Sequence, residues 1–268
     1  MSVWIDDIYV PDIGVMVLEG GSEPALPSTR DRSITIPGRP GAYDLGGELG
    51  VRQFEIPFAI SGPRDHNLIA GKAREFARLF LNKYGKPKTV KLRFDSEPDR
   101  FYYVRYSGSL PVERVAYTAK FTVPLTAFDP YAKSLATNDE VTWGSEEITF
   151  ESQYLLGHNG GGQQVVFTSA GSTNVTVDGE MVRPIITVTG SGTNVAIRAN
   201  DNAMSIGTFA NKTFVIDCEK YTVSVNGTYS LSSMVGNFIE LFNGDNTIQV
   251  SGSGLNLTIA INFRDQYI

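Results

Sequence analysis

The sequence predicts a mainly β protein of two domains. An N-terminal β-sandwich-like domain with one α-helix spans residues 1–132, and an antiparallel β-sandwich spans residues 133–268. Three observations predict it. Twelve of the 13 prolines precede position 132. Residues 1–132 carry 17 Lys+Arg against 16 Asp+Glu, a net +1, whereas residues 133–268 carry 6 against 13, a net −7. Apolar residues alternate with period two in many short runs, and only one stretch has the helical period. Two halves shaped by such different constraints read as separate domains.

In chain order, residues 1–21 read as an opening strand pair. Trp4, Ile5 and Ile8 precede Val15, Val17 and Leu18, with Pro11-Asp12 as the turn. A Pro/Ser/Thr loop, Glu23 to Arg32, leads to the short run Ser33–Ile36. The cluster Pro37-Gly38-Arg39-Pro40-Gly41 stops any regular element and reads as an exposed turn or extended arm. Tyr43 to Gly50 reads as continuing loop through Gly46-Gly47. The run VRQFEIPFAI (51–60) then alternates cleanly, placing Phe54, Ile56, Phe58 and Ile60 on one face of a half-buried strand. Pro57 lacks an N–H and predicts an edge position or a bulge there.

Asp65 to Tyr84 is the helix. Asp65 is a candidate cap, and Ile69, Ala73, Phe76 and Phe80 recur at helical spacing. Gly85 stands where a left-handed cap is wanted. Val90, Leu92 and Phe94 alternate next, and an acidic turn, Asp95 to Asp99, follows. Tyr102, Val104 and Tyr106 then alternate with Phe101, Tyr103 and Arg105. Aromatics on both faces predict that this strand is central or at an interface. Phe121, Val123 and Leu125 form one face of the last strand. After Ala132 the text turns to Ser, Thr, Asn and Gly around short apolar runs. Asp178-Gly179, Asn226-Gly227 and Asn243-Gly244 are hairpin signals.

Little in the chain points to catalysis. The two histidines, His66 and His158, lie in no motif that names a partner. Asp95, Glu97 and Asp99 lack the Gly and Glu that a calcium loop needs at its sixth and twelfth positions. The Gly-rich loops match no phosphate-binding motif. No catalytic, cofactor or metal site is therefore expected. A net charge of −6 gives no basis for nucleic-acid binding. Cys218, the single cysteine, is expected to be a small buried side chain in a strand. The acidic N-terminus carries no secretory signal and no run is long enough to span a membrane, so assembly is expected in a cytoplasm. Arg93, Arg100, Arg105, Arg114 and Lys120 leave two readings open, a solvated face or a polar subunit interface.

One resemblance adds to this. The segments FDSEPDRFYYVRY (94–106) and FDPYAKS (128–134), the run RDRSITIPGRPGAYD (30–44) and the ending GDNTIQVSGSGLNLTIAINFRDQYI (244–268) resemble the distal tail protein (Dit) family of long-tailed, non-contractile phages. The resemblance implies a short form, without inserted carbohydrate-binding modules, whose second domain is galectin-like. It implies a homo-hexameric ring formed by the N-terminal domains. The tail tube protein would bind one face and a tip or baseplate protein the other, with DNA only in transit through the lumen. Receptor-binding or accessory proteins would dock on the second domain, and the protein would reside in the virion at the tail tip. A galectin's His-x-Asn-x-Arg strand is absent, so sugar binding is not implied. Ring closure needs two different patches per subunit. Arg39 and Tyr43 on the arm, with Phe101, Tyr103 and Arg105, are the subunit-interface candidates. Two other readings compete. A carbohydrate-binding adhesion module would stack sugars on Trp143, Tyr154 and Tyr229. A glycoside hydrolase would use Glu146, Glu147 and Glu240.

Overall fold

The computed structural model describes residues 2–61, 66–115, 118–141, 148, 152–154 and 164–268. The chain divides into two compact units, Met1–Ala132 with Ile268, and Lys133–Tyr267.

The first unit is an antiparallel sheet with one helix. Its strands are β1 (Val3–Ile5), β2 (Ile8–Tyr9), β3 (Val15–Val17), β6 (Arg52–Ser61), β7 (Thr89–Phe94), β8 (Arg100–Tyr106), β9 (Glu113–Val115) and β10 (Thr118–Ala127). A separate pair, β4 (Thr29–Ile34) and β5 (Tyr43–Leu49), stands off the sheet. The order is β2-β1-β7-β8-β10-β6-β3, with β9 on β10. β8 is thus central, as its two aromatic faces predict.

The opening strands do not pair with each other. β1 turns tightly through Asp6, at φ 53°, to pair with β2, and its other edge pairs with β7. β3 follows a 3-10 turn, Val10–Ile13, and pairs with β6 at the far end of the sheet. Pro11-Asp12 belongs to that turn rather than to a hairpin. Asp95, in the acidic turn, fixes the β1–β2 corner by accepting from Trp4 Nε1 at 3.2 Å and from Tyr9 OH at 3.1 Å.

The alternation in β6 is borne out: Phe54, Ile56, Phe58 and Ile60 are buried. Pro57 sits one strand in from the edge. Its carbonyl accepts from Leu18 N, and the next rungs join Ser22 to Glu55. The missing N–H therefore faces the excursion Glu19–Gly21, where no ladder bond is required.

The helix α1 runs His66–Arg78, shorter than expected at its C-terminal end, and Asp65 lies outside the described residues. Leu79, Phe80 and Leu81 tighten into i−3 turns instead. Gly85, at φ 72°, closes the next turn, where Asn82 Oδ1 accepts from Tyr84 N and Lys86 N. The apolar stripe packs as predicted. Phe76 lies 4.9 Å from Phe58 and 5.4 Å from Phe121, ring to ring, and Ile69 and Phe80 are buried with it. Each such side chain contributes about 1.5–3 kcal/mol by burial.

The second unit contains β12 (Val165–Phe167), β13 (Gly171–Val177), β14 (Ile185–Ala199), β15 (Asn202–Asp217), β16 (Thr222–Val225), β17 (Thr228–Tyr229), β18 (Val235–Gly236) and β19 (Gly244–Asn262). The order is β12-β19-β14-β15-β16-β17, with β13 also on β19 and β18 on β15. β11 (Ala132–Ser134) pairs with β20 (Gln266–Tyr267). The many short strands expected here merge into fewer long ones. PIITV and NVAI are both β14, and TIQV and LNLTIAINF are both β19. Asn194 and Asn211, at φ 51° and 50°, bend long strands where a turn would be read. Gly190 is obligatory at one such bend, because a Cβ would stand 2.0 Å from Asn256 O. The bends curl the sheet over one apolar core that includes Ile186, Val188, Ile197, Phe214, Ile216, Ile248 and Leu257.

Of the three hairpin signals, Asn226-Gly227 alone joins paired strands. Both residues have positive φ, 49° and 83°, as a two-residue turn of this hand requires. Asn243-Gly244 leads into β19 within a turn organised by buried Asn246, which accepts from Phe242 N and donates to Phe242 O and Gly244 O. Gly179 instead bridges Gln266 in parallel. Cys218 is buried just past the end of β15, and burial pushes its thiol up to about 11.

Among the described residues of this unit two acids are buried, Asp217 and, more deeply, Asp265, which is 4% exposed. Its Oδ1 accepts from Asp178 N at 3.0 Å, but desolvation dominates and raises the carboxyl from 3.8 to about 6. The folded state therefore takes up a proton near pH 6, before the unfolded chain does. The contribution of Asp265 to stability should grow as pH falls from 7 toward 4, by about 3 kcal/mol at most. Asp265→Asn keeps an acceptor for Asp178 N and removes the titration. Its stability relative to the parent should fall as pH is lowered from about 7.5 to about 4.5, read as the change in the gap between the two melting temperatures. An unchanged pH slope would refute this assignment.

Candidate functional site

The sequence element that the fold leaves unused is the ribbon β4–β5. Its register pairs Thr29 with Leu49, Arg30 with Glu48, and Ile34 with Tyr43, with an irregularity between Asp31 and Ser33. Every residue of both strands is exposed. The expected arm is thus a paired ribbon, and Tyr43–Leu49 is strand rather than loop. Gly46-Gly47 disguised it: Gly46 lies at φ 90°, with its N–H donated to Asp44 Oδ1.

The ribbon tip is apolar. Ile34, Ile36, Tyr43 and Leu45 are 46–58% exposed. Between Ser33 and Tyr43 the only charge is Arg39, whose guanidinium lies 4.5 Å over the Tyr43 ring and donates to its hydroxyl. Arg32 pairs with Glu48 at 2.6 Å, both well exposed, so the pair adds little stability. Four large apolar side chains together on a solvated ribbon are a surface waiting for a partner.

The root is held by one residue that sequence reasoning missed. Arg52 is 2% exposed. Its Nε donates to Pro24 O at 3.1 Å, one amino group to Ala25 O, and the other to Tyr102 OH at 2.8 Å and Pro130 O at 3.4 Å. Beside it, Gly50 N donates to Ser28 O, and Ser28 Oγ to Val51 O. The signal was present in VRQFEIPFAI, where Arg52 shares the inward parity of Phe54 and Ile56. An arginine at such a position predicts a buried polar anchor.

The remaining interface candidates separate. Phe101 is only 1% exposed and offers a neighbour no surface; Lys91 Nζ lies 5.2 Å from its ring, and Tyr103 packs edge-on at 5.0 Å. Tyr103 is 38% exposed, and Arg105 is exposed with its guanidinium 4.4 Å over the Phe128 ring. Arg93 stacks 4.4 Å over Trp4. Arg93 and Arg105 are thus neither simply solvated nor paired to carboxylates, but laid over aromatic faces. The Arg114 side chain lies outside the described residues.

Of the two competing sites, Glu240, Tyr154 and Tyr229 are the members among the described residues. Glu240 is paired with Arg183 at 2.7 Å, and this bond raises the guanidinium's affinity for its proton. The Tyr154 hydroxyl accepts from Leu135 N and Ala136 N, so its polar end is taken up by backbone. Tyr229 is 80% exposed. Trp143, Glu146, Glu147, His158 and the His66 side chain lie outside the described residues. Among the described residues no group of three or more His, Cys, Asp or Glu is arranged to hold a metal ion.

The described residues thus form an antiparallel β unit carrying an exposed ribbon, followed by a second β unit. The family model described as "Phage tail protein RIFT-related domain" matches residues 10–127, and that described as "Siphovirus-type tail component, C-terminal domain" matches residues 178–267. The chain belongs to the siphophage distal tail protein family. The fold is similar to the crystal structure of the SPP1 Dit (gp 19.1) protein, described as a paradigm of hub adsorption apparatus in Gram-positive infecting phages. The TM-score is 0.71 at 15% identity, covering 100% of this chain and 99% of that one. Two structures of the phage P2 baseplate in its activated conformation, with Ca and with Sr, match at TM-scores of 0.42 and 0.41. Both are 11% identical and cover 97% of this chain and 94% of theirs. No curated protein sequence matches. The protein is a structural tail component of a siphophage, and the adhesion-module alternative is not favoured.

Proposed function

We propose that the chain forms a homo-hexameric hub ring at the distal end of the tail, closed through its Met1–Ala132 unit. The ring would receive the tail tube protein on one face and a tip or baseplate protein on the other, with DNA passing through its lumen. The Lys133–Tyr267 unit would carry receptor-binding or accessory proteins, and assembly would take place in the host cytoplasm. The observation that supports the ring most directly is the ribbon β4–β5, an exposed apolar tip on an anchored root. A ring of one protein needs two unlike, complementary patches, and a projecting ribbon supplies one. Tyr103 and Arg105 are the exposed candidates on the body of the unit.

Light scattering on the purified chain should give about 176 kDa, six times 29.3 kDa, with six-fold rings in negative-stain images. A mass of one chain at all concentrations would count against a self-assembling ring. In that event strong glycan-array binding would move the reading to the adhesion module.

A further inference from the structure

The first unit carries a groove that its own ribbon does not fill. The groove has a volume of about 260 Å³ and lies where the two ends of the curled sheet approach each other. Val3 and Phe94 come from the β1–β7 end, and Val17, Leu18 and Ile56 from the β3–β6 end. Val3, Ile56 and Phe94 are buried and form its floor. Glu19, Glu23 and Glu55 rim it. One wall is the excursion Glu19–Gly21. Gly20 takes φ 91°, and Gly21 passes so close to β6 that a Cβ would stand 2.8 Å from Glu55 O. At the rim, desolvation and then the Glu97 charge raise the Glu23 carboxyl above its ordinary range. A cation brought there would meet Glu19, Glu23 and Glu55, with the buried Arg52 the positive charge acting on Glu23.

We infer that this groove is the receptor for the ribbon tip of a second copy of the chain, with Ile34 and Ile36 on the apolar floor and Arg39 at the carboxylate rim. The inference deepens the ring reading and rests on it for its partner. Three observations fix the occupant. The Ser33–Tyr43 tip is apolar with a single positive charge, and the groove is apolar with three negative ones. No ribbon residue lines the groove in its own chain. At about 3.3 Å per residue, Ile36 stands about 25 Å from the root at Ser28. A unit of this length has a radius of gyration of about 14 Å, so the tip reaches one subunit further round a ring.

Disulfide trapping between full-length chains tests this. Ile36→Cys is mixed with Ser22→Cys or with Glu19→Cys under mild oxidation, and with Ser253→Cys as a collision control. Native Cys218 is buried and does not compete. At least one groove pair should cross-link more than tenfold faster than the control. Adding Glu23→Lys and Glu55→Lys to the groove chain should remove that advantage. If both groove pairs cross-link no faster than the control, groove docking is overturned. The mass of the unsubstituted chain reads the ring separately. A ring without the cross-link overturns the groove alone; a cross-link without a ring overturns the ring alone.

Discussion

Arg52→Met should destabilise the Met1–Ala132 unit by about 2–5 kcal/mol, the scale for leaving several buried neutral acceptors without their donor. The guanidinium satisfies the carbonyls of Pro24, Ala25 and Pro130 and the hydroxyl of Tyr102. Methionine fills much of the same volume and donates nothing. Each carbonyl left without a donor costs about 1–3 kcal/mol unless water enters. Arg52→Lys should recover only part of the loss, since one ammonium cannot span three divergent carbonyls. Urea denaturation measures the change, and hydrogen exchange locates it. The Gly50 amide, bonded to Ser28 O, should lose protection along with the ribbon root. A loss under about 1 kcal/mol would show that the carbonyls are hydrated without Arg52, and that the root is held elsewhere.

What the sequence made legible follows the same physics. β6, β7, β8 and β10 were readable because one face of each is buried, and period-two alternation survives wherever burial is one-sided. The helix was readable for the same reason at period 3.6. The ribbon was half-readable: with neither face buried in its own chain, no alternation is imposed. Pro37, Gly38, Pro40, Gly41, Gly46 and Gly47 then dominate the local text, and β5 was read as loop. In the second unit, Asn194 and Asn211 carry positive φ inside strands. Turn chemistry read along the sequence cannot tell a bend in a long strand from the end of a short one. Arg52 is hard to read from sequence because the apolar members of its face carry the alternation and an arginine there adds nothing to it. Phe101 was assigned to an interface because a second aromatic face has two explanations, a neighbour or the chain's own cover, and residue type does not separate them. The overall layout was recoverable from the ordered segments 30–44, 94–106, 128–134 and 244–268, which resemble a family rather than dictate a geometry.

Deleting Pro37–Gly47 should convert the ring to single chains while leaving each chain folded. The two outcomes separate because the ribbon contributes nothing to the core. Every residue of β4 and β5 is exposed, and the root bonds of Ser28, Val51 and Arg52 lie outside the deletion. Melting temperature should therefore move little, whereas mass should fall from about 176 kDa to the 29.3 kDa of one chain. The size of the effect follows from the tip. The deletion removes Tyr43 and Leu45 outright and takes from Ile34 its pairing partner Tyr43, and burying each such side chain on a neighbour contributes about 1.5–3 kcal/mol. Every 1.4 kcal/mol is about tenfold in affinity, so losing the two is about two to four decades at each of the ring's contacts. A complementary variant isolates the apolar share: Ile34→Ser with Ile36→Ser keeps the ribbon's length and pairing and removes the two anchors that the deletion spares. Rings that survive the full deletion would place the subunit contact on the sheet face of Tyr103 and Arg105. They would leave the apolar tip to a different tail component, because a surface of this kind on an anchored ribbon still requires cover.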